Sequence, residues 1–121
     1  MEDLVQGWIK AQGVDVESDK YEEVCWAIDK LYLLAHDKPL EALYVISKIL
    51  VLDSSEQVVG ALGSGAIEEL LVHHSEAFIH DVVKMSKLDS NFQRCLNHTY
   101  LDEDDVSSEV YEIFQNHIKN N

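Results

Sequence analysis

The chain has 121 residues, of which 46% are hydrophobic, and this is enough apolar material for one ordinary domain with a buried core. Nine basic residues stand against 23 acidic ones, which gives a formal net charge of -14. These numbers exclude a disordered chain, and they argue against direct binding to nucleic-acid phosphates or anionic lipids. A basic protein is the partner that such a charge favours.

No export or membrane signal is visible in the sequence. The N-terminal residues lack a basic segment followed by an apolar one, and the apolar runs are far shorter than the roughly 20 residues that span a bilayer. The two cysteines, Cys25 and Cys95, lie in apolar helical patterns and are predicted to be reduced core thiols. We therefore expect a cytoplasmic protein.

Apolar residues recur at helical spacing through the N-terminal half of the chain. A first helix is predicted to end near Gly13, and a second to begin at a capping box formed by Asp19 and Glu22. The second helix should end before Pro39, which suits the first turn of a third helix. This third helix is apolar on most of its circumference and is predicted to be the most buried element.

The C-terminal half continues the helical pattern. Further helix starts are predicted at Ser54/Gln57 and Ser90/Gln93, which again have capping-box spacing. Gly63-Ser64-Gly65 is predicted to form a sharp corner between helices, and His73-His74-Ser75 a second junction. An acidic loop at 101–105 precedes a closing amphipathic helix over 106–117.

No segment alternates apolar and polar residues for long enough to predict a strand. Short polar junctions between helices predict antiparallel neighbours, roughly at 39–62 and 66–86. We predict an all-α fold in which antiparallel helix pairs stack as a compact bundle or a short α-solenoid-like array. A single helical domain is expected over residues 1–121.

The segment Ala61-Leu62-Gly63-Ser64-Gly65-Ala66-Ile67-Glu68-Glu69-Leu70-Leu71 has a distinctive pattern, followed by His74-Ser75, Phe78-Ile79 and Phe92-Gln93-Arg94-Cys95-Leu96. On these residues, the chain resembles an uncharacterised bacterial helical domain family over roughly residues 40 to 100. Ser75 stands where glycine is usual in that family, and Ala66 where proline is common. The resemblance implies an all-α fold and no particular activity.

Candidate metal and anion sites are weak at the sequence level. The glycine corner lacks the lysine of a phosphate loop. Five residues of the types that bind zinc lie close together in the sequence: His73, His74, Glu76, His80 and Asp81. The predicted helix break near Ser75 would point their side chains in different directions, so a structural role is favoured. The pairs Glu69/His73 and Glu76/His80 have i,i+4 spacing, which predicts that the two members of each pair share a helix face. We therefore predict neither a metal nor a cofactor.

The acidic loop also fails as a calcium site. Counted from Asp102, position six is Ser107 rather than glycine, and position twelve is Ile113 rather than glutamate. No nucleophile motif is present, and paired carboxylates cannot be singled out in so acidic a chain. Among the aromatic residues, Trp26 is predicted to be core, whereas Trp8 and Tyr21 suit either a core or a binding surface.

Small size, high acidity and the missing catalytic motif predict a protein-binding module. Its concrete form is an immunity protein that neutralises a cognate bacterial toxin domain, such as a basic nuclease. The alternatives are a helical-repeat scaffold or adaptor, which holds a peptide in a groove, and an uncharacterised hydrolase. The predicted partner-binding residues are acidic side chains in two places: Asp102, Glu103, Asp104, Asp105, Glu109 and Glu112, with Glu22 and Glu23 as a second edge.

Overall fold

The computed structural model describes residues 2–119. Its N-terminal part is a close pair of helices. Helix α1 (Glu2–Gln12) packs against α2 (Asp19–Asp37). Gly7 lies where the two helices meet, since a Cβ at this position would be 3.2 Å from the Cβ of Ala27. Two small residues therefore let the helix backbones approach. The first helix ends just before Gly13, as predicted.

Helix α3 (Pro39–Leu52) begins where the sequence predicted, with proline in the first turn. Its buried face includes Ala42, Val45, Ile46 and Ile49, which are fully inaccessible to solvent. The predicted burial of α3 therefore holds for one face of the helix only. The helix also exposes apolar side chains, namely Leu40, Tyr44, Val51 and Leu52. The helix is therefore apolar on its solvent-facing side as well as on its buried side, so an apolar circumference does not mean burial on all sides.

The predicted corner at Gly63–Gly65 does not exist. Helix α4 (Glu56–Leu62) continues through a π-helical turn (Gly63–Ile67) into α5 (Glu68–Leu88). Gly63 has helical angles, φ -64° and ψ -47°. Its role is steric, because a Cβ here would lie 2.1 Å from the carbonyl oxygen of Cys95. The glycine therefore marks a close helix contact rather than a turn.

The junction predicted at 73–75 is a kink inside α5. His74 departs from helical geometry, with φ -133° and ψ 18°, while helical residues continue on both sides. The Nε2–H of His74 donates a hydrogen bond to the backbone carbonyl of His36 at the end of α2. The kink is thus the point at which α5 is tied to α2.

Helix α6 (Ser90–Leu96) and α7 (Ser108–Lys119) complete the described chain, with the acidic loop between them as predicted. All three predicted capping boxes are displaced by one residue. The observed caps are Ser18, Ser55 and Asp89, whose side-chain oxygens accept backbone N–H groups of the first turn.

A continuous hydrophobic cluster joins all seven α-helices and the π-helical turn. Leu31, Ile46, Leu71 and Phe92 are among its fully buried side chains. No strand occurs in residues 2–119. The predicted all-α fold, with helices packed compactly against one another, is confirmed.

Candidate functional site

The acidic segment (residues 102–112) begins with a tight turn that directs carboxylates to solvent. The side chain of Asp102 accepts the backbone N–H of Asp104 at 2.9 Å, and its carbonyl accepts that of Asp105 at 3.0 Å. Glu103, Asp104 and Asp105 are exposed. Asp102 thus organises the turn, and the other three carboxylates are available for external contacts.

An open cleft of about 380 Å³ lies between this turn and the kink of α5. Asp104 and Asp105 line one side, and Glu76 lines the other. Glu76 was not among the predicted partner-binding residues, because 28 positions separate it from Asp104 in the sequence. The fold brings these three carboxylates to one surface, where they add to the negative potential of the acidic segment.

The remaining predicted partner-binding residues lie on two helices. Glu109 and Glu112 are exposed on α7, opposite the buried Val110 and Phe114, as predicted. Glu22 and Glu23 are exposed in the first turns of α2. At about 1.5 Å of rise per residue, Glu22 lies roughly 20 Å along α2 from its His36 end.

The acidic side chains thus form two separate regions rather than one patch. None of the eight predicted carboxylates forms an ion pair within residues 2–118.

A histidine cluster joins α2 to α5. Nε2 of His73 lies 2.9 Å from Oε1 of Glu69, which confirms that this i,i+4 pair shares a helix face. The ring of His36 packs edge-on against that of His73, with centroids 4.3 Å apart. One potential ligand atom from each of these three residues lies within 4.8 Å of the others. The sequence reading missed His36, which comes from a different helix.

The other histidines named at the sequence level do not join this cluster. His74 is directed to the His36 carbonyl, and His80 is exposed further along α5. Glu76 and His80, which have the same spacing as Glu69 and His73, form no ion pair in the described chain.

A buried serine–histidine contact resembles part of a catalytic dyad, but its hydrogen bonds serve packing. The hydroxyl of Ser86 donates to the carbonyl of Val83 at 2.6 Å, so its oxygen must accept from Nε2–H of His117 at 2.7 Å. The same Nε2 also lies 2.7 Å from the side-chain oxygen of Gln93. A general base would need a lone pair on this nitrogen. The contact therefore fastens α7 to α5 and α6.

The structure corrects two predictions about core residues. Trp26 is 46% exposed rather than buried, while Trp8 is in the core. Cys95 is a buried free thiol, and burial raises its pKa to about 12. Cys25 is also free but only partly buried, so the prediction of two core thiols holds for Cys95 alone.

An apolar groove runs between α3 and the C-terminal end of α5, with a volume of about 390 Å³. Leu40 and Tyr44 from α3 and Leu88 from α5 line it with exposed side chains. Asp81 and Lys84 add charges of opposite sign at its edge. Exposed apolar surface of this kind is typical of contacts with other proteins.

These features define an acidic, all-helical protein with exposed charged and apolar surfaces. None of the helices in the described range is both long and apolar enough to cross a bilayer. The chain belongs to DUF6869, a family of unknown function whose model matches residues 14–118. The prediction of an uncharacterised family is thereby confirmed, whereas the motif and the bacterial source stay predictions. No curated protein and no solved structure matches the chain.

Proposed function

We propose that the protein is a cytoplasmic, acidic protein-binding module whose partner is a basic protein. Its specific form is a bacterial immunity protein that binds and neutralises a toxin domain with a phosphate-binding groove, such as a nuclease. The observation that carries this proposal is the acidic segment, whose exposed carboxylates have no ion-pair partners within residues 2–118.

Electrostatic complementarity links this surface to a basic partner. A groove built for nucleic acid is lined by lysine and arginine, and an acidic surface can occupy it in place of phosphate. Asp104, Asp105 and Glu76 already meet at one cleft. The net charge of -14 would accelerate association with such a partner, most strongly at low salt.

The test neutralises the turn without changing its shape. In the variant D102N/E103Q/D104N/D105N, the amide oxygen that replaces the Asp102 carboxylate can still accept the N–H of residue 104, so the turn should persist. Exposed charge contacts contribute about 0.5 kcal/mol each, so loss of the three exposed carboxylates should weaken binding by about 1.5 kcal/mol, or roughly 10-fold in Kd. The matched control D3N/E17Q/D29N/E41Q removes the same charge from exposed positions elsewhere.

All three proteins serve as baits in a lysate of the source organism, at about 50 and about 300 mM NaCl. We expect a basic protein to be captured by the wild type and by the control, less at the higher salt, and to be lost with the turn variant. The purified partner should then lose its toxic activity when an equal amount of the wild-type protein is added. Equal capture by the turn variant and the control would contradict the role of residues 102–105.

A second candidate function, a helical adaptor, is favoured by the groove between α3 and α5. An amphipathic helix of a partner protein could place apolar side chains against Leu40, Tyr44 and Leu88. The variant L40E should then abolish capture, whereas V16E should not. Val16 and Leu40 are both 68% exposed, which makes them a matched pair. If the L40E variant still captures the partner and the D102N/E103Q/D104N/D105N variant does not, the result favours the acidic surface instead.

The hydrolase alternative has less support. No aspartate or glutamate is buried among residues 2–118, and burial is the usual way to adjust a carboxyl group for acid–base catalysis.

A further inference from the structure

We propose that His36, Glu69 and His73 bind a zinc ion that bridges the end of α2 to α5. This inference is independent of the proposed partner. It starts from the three side chains that the fold places together, with potential ligand atoms within 4.8 Å of one another. Two imidazoles and one carboxylate form a donor set that zinc takes in proteins.

The distances suit a small ion after minor side-chain movement. Ligand atoms on a tetrahedral zinc ion lie about 3.3 Å apart, given zinc–nitrogen and zinc–oxygen bonds of about 2.0–2.1 Å. Oε1 of Glu69 and Nε2 of His73 are 2.9 Å apart, so an ion can take the place of the proton between them. That proton moves to Nδ1, and the neutral ring of His73 then offers Nε2 to the metal. His36 is exposed, so its side chain can make the small movement that remains.

Neighbouring groups already orient two of the three ligands. Nδ1 of His36 lies 2.8 Å from Oδ1 of Asp37, and a carboxylate only accepts hydrogen bonds, so Nδ1 carries the proton and Nε2 has the lone pair. The hydroxyl of Tyr32 donates a hydrogen bond to the carboxylate of Glu69. Such outer hydrogen bonds hold metal ligands in place in known sites.

A hydrogen bond between the two helices also keeps the ligands close together. The ring of His74, next to His73, donates to the backbone carbonyl of His36. This hydrogen bond fixes the two helices and leaves the side chains of His36 and His73 available as ligands. The alternative pair Glu76 and His80 has the same spacing on α5 but no third ligand from another helix among the described residues. The acidic protein as a whole attracts cations, and within the described chain only the His36 cluster adds two imidazoles to a carboxylate.

Zinc binding is measured on the full chain by calorimetry and by metal analysis after dialysis. We expect one ion per chain for the wild type, and at least about 10-fold weaker binding for H36A and for H73A, because each variant removes one of three ligands. The control H80A removes an exposed histidine of the same helix and should bind zinc as the wild type does. D37A, which frees the ring of His36, should bind about 10–100-fold more weakly.

Two further measurements separate a specific site from general attraction of cations. The ring resonances of His36 and His73 should shift on addition of zinc while that of His80 does not. The turn variant D102N/E103Q/D104N/D105N should bind zinc with at most a few-fold loss, because it changes the field but not the ligands. Absence of binding by the wild type would overturn the proposal, as would equal loss in H36A and H80A.

Discussion

Replacement of Gly63 by alanine tests how closely the π-helical turn packs against α6. The added Cβ would lie 2.1 Å from the carbonyl oxygen of Cys95 and 3.0 Å from its carbonyl carbon. Backbone atoms occupy this space, so a side-chain rotation cannot relieve the overlap. The hydroxyl of Thr99 also donates to the carbonyl of Gly63 at 2.7 Å, so a shift of the turn would disturb this buried hydrogen bond too.

The expected magnitude follows from two opposing effects. Overpacking in a close-packed interior costs about 1–3 kcal/mol, and an overlap with backbone belongs at the upper end of that range. Alanine has a higher helix propensity than glycine, which returns about 1 kcal/mol. We therefore expect G63A to lower the free energy of unfolding by about 2 kcal/mol, and Tm by about 8 °C for a domain of this size.

Gly65 provides the matched control, since a Cβ there would meet no atom within 4 Å. G65A should therefore gain helix propensity alone and raise Tm by about 2–4 °C. Thermal unfolding followed by circular dichroism measures both variants under one set of conditions. Equal Tm values for G63A and G65A would show that steric contact with α6 is not the reason for glycine at position 63.

Two further predictions concern thiol reactivity and pH. In the native protein, a thiol reagent should modify the partly buried Cys25 quickly and Cys95 only after unfolding, because burial raises the pKa of Cys95 to about 12. Two fast-reacting thiols would contradict this. Burial, with a smaller effect from Lys87, lowers the pKa of His117, so below its ordinary value of about 6.5 the unfolded chain binds more protons than the folded one. The contribution of neutral His117 to stability is therefore complete above about pH 6.5 and is lost as the pH falls towards the pKa of His117 in the folded state. As the pH is lowered through this range, the Tm of H117N should fall less steeply than the Tm of the wild type.

The helices themselves could be predicted because their signals are local. Pro39 and Gly13 mark helix boundaries by backbone chemistry, and the structure has those boundaries where expected. The caps were displaced by one residue because capping residues occur in adjacent pairs, such as Ser18/Asp19 and Asp89/Ser90. Either member can accept a first-turn N–H, and the observed caps do so without the reciprocal glutamate or glutamine that the prediction required.

Which face of a helix is buried was harder to predict than the helix itself. The prediction placed Trp26 in the core because its neighbour Cys25 lies in an apolar stripe. The observed buried stripe of α2 is centred instead on Ala27 and Leu31, both fully inaccessible. Gly7 of α1 approaches Ala27 closely, and the ring of Trp26 lies beside the same glycine, where it stays half-exposed. Which face of α2 is buried thus depends on the size of the side chains on α1. The periodicity of α2 contains no information about them.

The candidate sites depend on contacts between distant segments, so they lie beyond such reasoning. His36 and His73 are 37 positions apart, and nothing in either local pattern pairs them. They meet because α4 continues into α5 without the predicted corner, and because the kink at His74 ties α5 to the end of α2. A corner at Gly63 would have given α5 a different direction, so the predicted corner was incompatible with this cluster. Glycine at position 63 and the position of the histidine cluster both depend on the continuation of α4 through the π-helical turn into α5.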